Sequence, residues 1–598
     1  MTVRRPSGSR LALTALALSL VAAPAIAGGA PATAAATPPA PTGCGGAPVP
    51  ASSTAAPVSQ LQGGLIRVFA VQHRQTLAAA ATYASIGADL ECELNAIDPL
   101  RSASEPNVVV FNELNGLIDA TEGTRGAAAR SGGPQVTLID QLIGQPGTAG
   151  IGSVAAAYAS QVAYYNAKLG PTTSQNAAVE RLFTAVTDTM VRSIVENGSR
   201  LAKAHGDYVI LGAPLPILEG AACTGAHAGW VACPGWRSST EPADVAALQD
   251  PDLAPVSSVY VAGTANIDNV SLVFAPDGTL YDLQPKVNLT PLEISPLGWH
   301  AAAPATIHAI GLHGADATAL PQVRLGIAIS LDGFVTAAAT GDPCGTAATY
   351  LACLDSKGVN VVLQPDFNDG VTPCWSWTDF TEDCGTARAS WQPLSWMRST
   401  WFQVQGRRTD GSFAFAHFAY SINTFQVGNL FDIGGDGQTA IFARGDPRAS
   451  ASWYAGDSSG TLYAAPGSAT DRADDPRYAG YEGPMPGFLA LMPWKIPEHT
   501  ANSLVRRATP ARARGDPRSL QSCEQGLAPR SGVTAAQSPT CSENDYIDGV
   551  VAADLFPGAP ASRVPETPAP AILLLAAALL AVPTTLANRR RSSQEVSR

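Results

Sequence analysis

The stretch Arg324-Leu325-Gly326-Ile327-Ala328-Ile329-Ser330-Leu331-Asp332 decides the reading of this chain. An apolar run bounded by a cation on one side and a hydroxyl on the other reads as a buried strand that delivers Ser330 at its end. Two further runs end in the same way. Val108-Val109-Val110-Phe111-Asn112 leads to Glu113, and Gly278-Thr279-Leu280-Tyr281 leads on to Lys286. An acid, a cation and a hydroxyl presented by strand ends are the parts of an acyl-transfer site, where a nucleophile needs a base beside it and a charge partner for the oxyanion.

The neighbours of these residues carry a resemblance that runs in order along the chain. Leu65-Ile66-Arg67-Val68-Phe69-Ala70-Val71-Gln72 looks like an opening strand, and Val109-Val110-Phe111-Asn112-Glu113 like the strand bearing a glutamate. Tyr208-Val209-Ile210-Leu211-Gly212 looks like the next core strand. Asn269-Val270-Ser271-Leu272-Val273-Phe274-Ala275-Pro276-Asp277-Gly278 leads into Tyr281-Asp282-Leu283-Gln284-Pro285-Lys286-Val287-Asn288-Leu289, with Glu293 following. Trp396-Met397-Arg398, Asn423 and Gly434-Gly435-Asp436-Gly437-Gln438-Thr439-Ala440-Ile441 complete the series. Together these segments resemble the nitrilase or carbon-nitrogen hydrolase superfamily, and the long inserts are closest in style to its vanin and biotinidase branch. The family places a cysteine where this chain has Ser330.

That resemblance implies an α/β fold, an α-β-β-α sandwich of two central sheets flanked by helices. It also implies catalytic roles: Ser330 attacks an amide carbon, Glu113 moves the proton, and Lys286 supports the oxyanion. Glu293 is the accessory glutamate, the Leu331 amide can help hold the oxyanion, and Asp332 is a supporting carboxylate. No cofactor and no metal is required. The partner is a small amide-containing molecule, and family members associate through a helical face, which makes a homodimer compatible with the fold.

Composition bounds the same answer independently. A chain of 598 residues with only 14% charged residues and abundant alanine, glycine and proline contains much linker. A net charge of -12 and a pI near 5.2 disfavour nucleic acid, whose binding relies on clustered lysine and arginine. Arg4, Arg5 and Arg10 precede an apolar run and Ala25-Ile26-Ala27, so residues 1–27 read as a secretory signal peptide. Residues 28–60 form an alanine- and proline-rich linker, 61–447 the hydrolase-like domain, and 448–566 a C-terminal extension and stalk. Residues 567–588 are expected to be a transmembrane anchor, and the basic tail 589–598 stays inside, leaving the large domain extracellular. Val564-Pro565-Glu566-Thr567-Pro568 resembles a wall-sorting pentapeptide, but Pro568 stands at the scissile position.

Ten cysteines in an exported chain favour disulfides, and sequential pairing is the simplest arrangement: Cys44 with Cys92, Cys223 with Cys233, Cys344 with Cys353, Cys374 with Cys384, Cys523 with Cys541. Helices are expected over 76–97 and 176–205, the second with Leu182, Val186, Met190 and Ile194 on one face. Segments 122–170, 221–255 and 340–391 exceed ordinary loops and read as insertions.

Each residue has a plainer reading. Glu113 and Lys286 could be solvated strand-end charges, and serine at a strand end is ordinary. Glu293 and Asp332 suit helix starts and turns. Asn423 suits a core or turn, His300, His308 and His313 suit loops, and Trp375, Trp377, Trp391, Trp396 and Trp401 suit packing. Two functions stay open: an amide hydrolase acting through Ser330, or a catalytically impaired pseudoenzyme that binds an amide or acyl ligand at the cell surface. A scaffold whose inserts contact partners is a third.

Overall fold

Val108-Val109-Val110 carries no polar residue on either face, because a layer of packed side chains covers each side of its strand. The computed structural model describes residues 64–75, 78–131, 154, 156–171, 177–294, 297–314, 317–367, 399–430, 433–435, 439–445, 488–491 and 549–557. The signal-peptide, linker, anchor and tail segments and four of the five tryptophans, all but Trp401, lie outside these residues.

The strands are β1 (Ile66–Arg74), β2 (Asn107–Val110), β3 (Tyr208–Glu219), β4 (Ala232–Pro234), β5 (Trp236–Ser239), β6 (Val259–Ala262), β7 (Ile267–Phe274) and β8 (Leu280–Pro285). They continue with β9 (Ile310–His313), β10 (Ala319–Ile327), β11 (Val361–Asp366), β12 (Tyr420–Leu430), β13 (Ile433–Gly435), β14 (Ala440–Ala443), β15 (Phe488–Leu491) and β16 (Gly549–Leu555). One half of the ladder runs β8-β7-β3-β2-β1 and the other β12-β11-β10-β9. Within them β1, β2 and β3 are mutually parallel, as are β10, β11 and β12.

Alternation with period two sends successive side chains to opposite layers. Ile66, Val68 and Ala70 of β1 and Val108 and Val110 of β2 join Leu325 and Ile327 of β10 and Val361 and Leu363 of β11 in one core. Phe69, Val71 and Val109 point the other way, against Ile86, Leu90, Leu94 and Ile97. Those four recur at helical spacing on the helix Tyr83–Ile97, which Thr82 starts with a capping box. On the far side Ala328 and Val362 pack on Tyr350, Leu351, Trp401 and Phe402 from the helices Tyr350–Ser356 and Thr400–Gln405. The order is therefore helix, sheet, sheet, helix. Each fully buried aliphatic side chain adds about 1.5–3 kcal/mol, so the central core is the main stabilising term.

Three features depart from the sequence reading. The two halves are not separate sheets, because β1 and β12 pair in parallel at their C-terminal ends, His73 opposite Gln426 and Arg74 opposite Val427. Gly549–Leu555, placed in the stalk by composition, is instead a buried strand, antiparallel to β1 along its whole length. Val361–Asp366, placed within an insertion, is a central parallel strand between β10 and β12. Residues 177–205 are helical as expected, but in segments with a π-helical turn at Val191–Glu196; Leu182, Val186, Met190 and Ile194 are all buried.

Cys223 pairs with Cys233 and Cys344 with Cys353. Cys92 is also disulfide-bonded, to a partner outside the described residues. Among the described residues no helix is long and apolar enough to cross a membrane.

Candidate active site

Glu113, Ser330 and Phe367 follow the C-terminal ends of β2, β10 and β11, and Lys286 follows β8. Parallel strands deliver their carboxyl ends to a common edge, which is where α/β sheets commonly carry their sites. Lys286 is the centre. Its Nζ lies 2.8 Å from Glu113 Oε1 and 3.0 and 2.9 Å from the two oxygens of Glu293. Lys286 is 1% exposed, and Glu113 and Glu293 are buried with it.

Asn269 on β7 completes this cluster, and nothing in its local pattern sets it apart from an ordinary strand residue. Its Nδ2 donates to Glu113 Oε1 and to Glu293 Oε1, 2.7 Å each. Glu113 Oε2 accepts from Phe367 N at 2.8 Å. Thr290 N donates to Glu293 Oε2 at 2.7 Å, and the Lys286 amide donates to Asn269 O at 2.8 Å. Every oxygen of the two glutamates thus has a fixed donor.

Burial raises the Glu113 carboxyl above its ordinary value, Lys286 pulls it back down, and Glu293 pushes it up again. Burial acts against the Lys286 ammonium, but Glu113 and Glu293 together outweigh it and leave the lysine above its usual value. Two carboxylates share one ammonium, so the cluster is short of positive charge. That imbalance keeps Lys286 charged and makes Glu113 the group that readily takes a proton.

Ser330 opens a 3-10 turn, Ser330–Phe334, with a φ of 46°. Among the described residues only Leu114 at 59°, Ala317 at 62° and Ser330 show positive φ without being glycine. Two of these three flank the site, Leu114 directly after Glu113. Such backbone costs on the order of 1–3 kcal/mol and persists only where surrounding contacts impose it. Asp332 supplies one of those contacts: its carboxylate accepts from Val287 N at 3.2 Å, Asn288 N at 2.7 Å and Asn288 Nδ2 at 2.8 Å. The segment after Ser330 is thereby tied to the residues just after Lys286, and two Cα steps of about 3.8 Å separate Ser330 from that anchor. Burial pushes Asp332 up to about 7, against the pull of Asn288 and Lys286.

Leu331 is buried in the same turn. Asn423 is a fully buried residue of β12, where its Nδ2 donates to Gln364 O at 2.9 Å and Asp366 Oδ2 at 2.7 Å. Trp401 is a packing residue. Of the three histidines read as loop residues, His313 instead ends β9.

Gly212 holds the Glu113–Leu114 turn from behind. A Cβ there would lie 2.7 Å from Leu114 N and 3.1 Å from Asn112 O, both backbone atoms that cannot swing away. Gly212→Ala is expected to destabilise the fold by about 1–3 kcal/mol, read as a lower urea midpoint; an unchanged midpoint would contradict this packing.

Two groups could hold a metal ion among the described residues: Glu219 with Asp268 and His300, and Glu122 with Asp250 and Asp252. Neither contains Glu113, Lys286 or Ser330.

No family model and no curated protein matches the chain. Solved structures do. A variant of the amidase from Nesterenkonia sp. AN1, with acrylamide added at its active-site cysteine, is 10% identical over 63% of this chain and 85% of its own, with a TM-score of 0.27. A carbon-nitrogen hydrolase from Helicobacter pylori G27 is 12% identical over 63% and 82%, with a TM-score of 0.31. A nitrilase-superfamily member from Saccharomyces cerevisiae is 12% identical over 63% and 82%, with a TM-score of 0.29.

Proposed function

We propose that the chain is an exported, membrane-anchored carbon-nitrogen hydrolase-like protein of the nitrilase superfamily, acting on small amide-type compounds by acyl transfer from Ser330. The observation that supports it most is the enclosed Glu113–Lys286–Glu293 cluster, together with a tie through Asp332 that joins the residues just after Lys286 to the turn in which Ser330 adopts a left-handed backbone conformation. In this reading Ser330 Oγ attacks the amide carbon while its proton passes to Glu113. The oxyanion forms beside the Lys286 ammonium and the Leu331 amide. The carbon-nitrogen bond breaks as the leaving amine takes the proton from Glu113; water, deprotonated by Glu113, then attacks the resulting ester, and Glu113 returns that proton to Ser330 Oγ as the acid leaves. Export and anchoring follow from residues 1–27 and 567–588, and the paired cysteines are compatible with an oxidising compartment.

One feature favours a second reading, a surface binder of amide or acyl ligands. A thiol ionises near pH 8.5, within reach of a nearby base, whereas a serine hydroxyl at the same position is far more weakly acidic. The two are separated by incubating the full-length protein in detergent with a panel of small amides. The hydrolase reading expects amine release and an acyl ester on Ser330 by intact mass, with turnover reduced on the order of 10³-fold or more in Ser330→Ala. Turnover confined to Ser330→Cys would make the native chain a binder.

A further inference from the structure

We propose that Glu219, Asp268 and His300 form a site for a divalent transition metal of the zinc class, on the face of β7 opposite the active site. The three come from distant parts of the chain: the end of β3, the start of β7, and the loop that follows the short helix Pro291–Ile294. Their candidate ligand atoms all lie within 4.8 Å of one another. His300 Nδ1 is 2.8 Å from Asp268 Oδ1 and 3.9 Å from Glu219 Oε1. Zinc with bonds of about 2.0–2.1 Å in a tetrahedral site separates its ligand atoms by about 3.3 Å, a value that the two observed spacings bracket. Small side-chain adjustments would seat the ion.

A second observation points the same way. Asp268 is fully buried, and among the described residues its other oxygen, Oδ2, has no hydrogen-bond partner. A buried carboxylate oxygen without a donor is costly, and a cation removes that cost. The other members are already oriented. Ala303 N donates to Glu219 Oε1 at 3.2 Å, and the His300 amide donates to Ile267 O at 2.7 Å. The imidazole side chain is 37% exposed, which leaves a path for the ion and a fourth position for water. One imidazole with two carboxylates suits zinc and its neighbours in the series better than calcium or magnesium. The acidic group Glu122, Asp250 and Asp252 differs in this respect, because Arg125 and Arg130 stand close enough to supply countercharge.

The placement gives the ion a consequence. Asp268 and Asn269 are adjacent on β7 and point to opposite faces, and Asn269 is the residue that donates to both glutamates of the active site. A metal bridging β3, β7 and the 300 loop would steady the strand that holds Asn269.

The test uses chelator-treated, tag-free full-length protein titrated with Zn²⁺ by calorimetry, with Co²⁺ absorption as a geometric readout. One equivalent is expected to bind with a dissociation constant on the order of micromolar or tighter, and to raise the thermal midpoint. His300→Ala and Glu219→Gln, both at partly exposed positions, are each expected to weaken binding at least about tenfold and to abolish the tetrahedral Co²⁺ bands. An imidazolium merely paired with two carboxylates would show no saturable binding. That result, or equal binding by both variants and the native chain, overturns the proposal.

Discussion

Lys286→Met is expected to destabilise the fold by about 3–5 kcal/mol, since it strands two buried carboxylates that now share one ammonium. Glu113 and Glu293 would keep their N–H donors from Asn269, Phe367 and Thr290, but no other cation among the described residues pairs with them. The side chain swap itself is mild, because methionine fills most of the lysine volume and has no group to satisfy. The loss is therefore electrostatic, and its pH dependence identifies it. Burial already raises the Glu113 carboxyl, and without Lys286 it rises further. A carboxyl whose folded pKa stands above its unfolded value adds stability below the unfolded value and loses it as pH rises through the folded one. The deficit of Lys286→Met should accordingly shrink in mild acid and be greatest at alkaline pH. Adding Glu293→Gln removes one stranded charge and should recover part of the loss. Urea midpoints measured across pH for the single and double variants decide the matter; a single variant as stable as the native chain would mean that the ion cluster is not closed.

How far the sequence carried the structure is best seen in which residues it misplaced. That Glu113 and Ser330 follow strand ends was legible because each comes after an apolar run, and a run of Val, Ile and Leu is the signature of a strand covered on both faces; Lys286 follows the mixed strand Leu280–Pro285 and was singled out through the resemblance of its segment. Val361–Asp366 escaped because Gln364, Pro365 and Asp366 break the apolar run, although Asp366 at its end lies near enough to Glu113 and Lys286 to feel both charges. Gly549–Leu555 escaped for a different reason. It is short, rich in alanine and far along the chain from β1, and local pattern holds no information about a partner so remote. The same limit hid Asn269, whose meaning lies in the two glutamates that it bridges rather than in its neighbours. It also hid His300: a ligand set drawn from three separate segments leaves no spacing to read. The two sequential disulfides were legible because their loops are short, with separations of 10 and 9 residues.

Glu113→Gln is expected to lower amide turnover on the order of 10²–10⁴-fold, the span associated with loss of a positioned base. The substitution is more than a loss of charge. Glu113 Oε1 accepts from Lys286 Nζ and Asn269 Nδ2, and Oε2 accepts from Phe367 N, so all its neighbours are donors. A glutamine has one acceptor oxygen, and its amino group must face a donor whichever way it turns. A stability cost of about 1–3 kcal/mol should accompany the kinetic effect, and a folded fraction measured alongside separates the two. The pH profile provides the sharper distinction. A base must be ionised to act, and burial raises Glu113, so the native rate should climb with pH through a value above the ordinary carboxylate range. Glu113→Gln should lose that limb while substrate binding changes little. Running the pair in the native and the Ser330→Cys chains makes the outcome independent of how well the hydroxyl serves as nucleophile. If Glu113→Gln left both rates and the limb intact, the proton would be taken elsewhere, and Glu113 would be only the partner that positions Lys286.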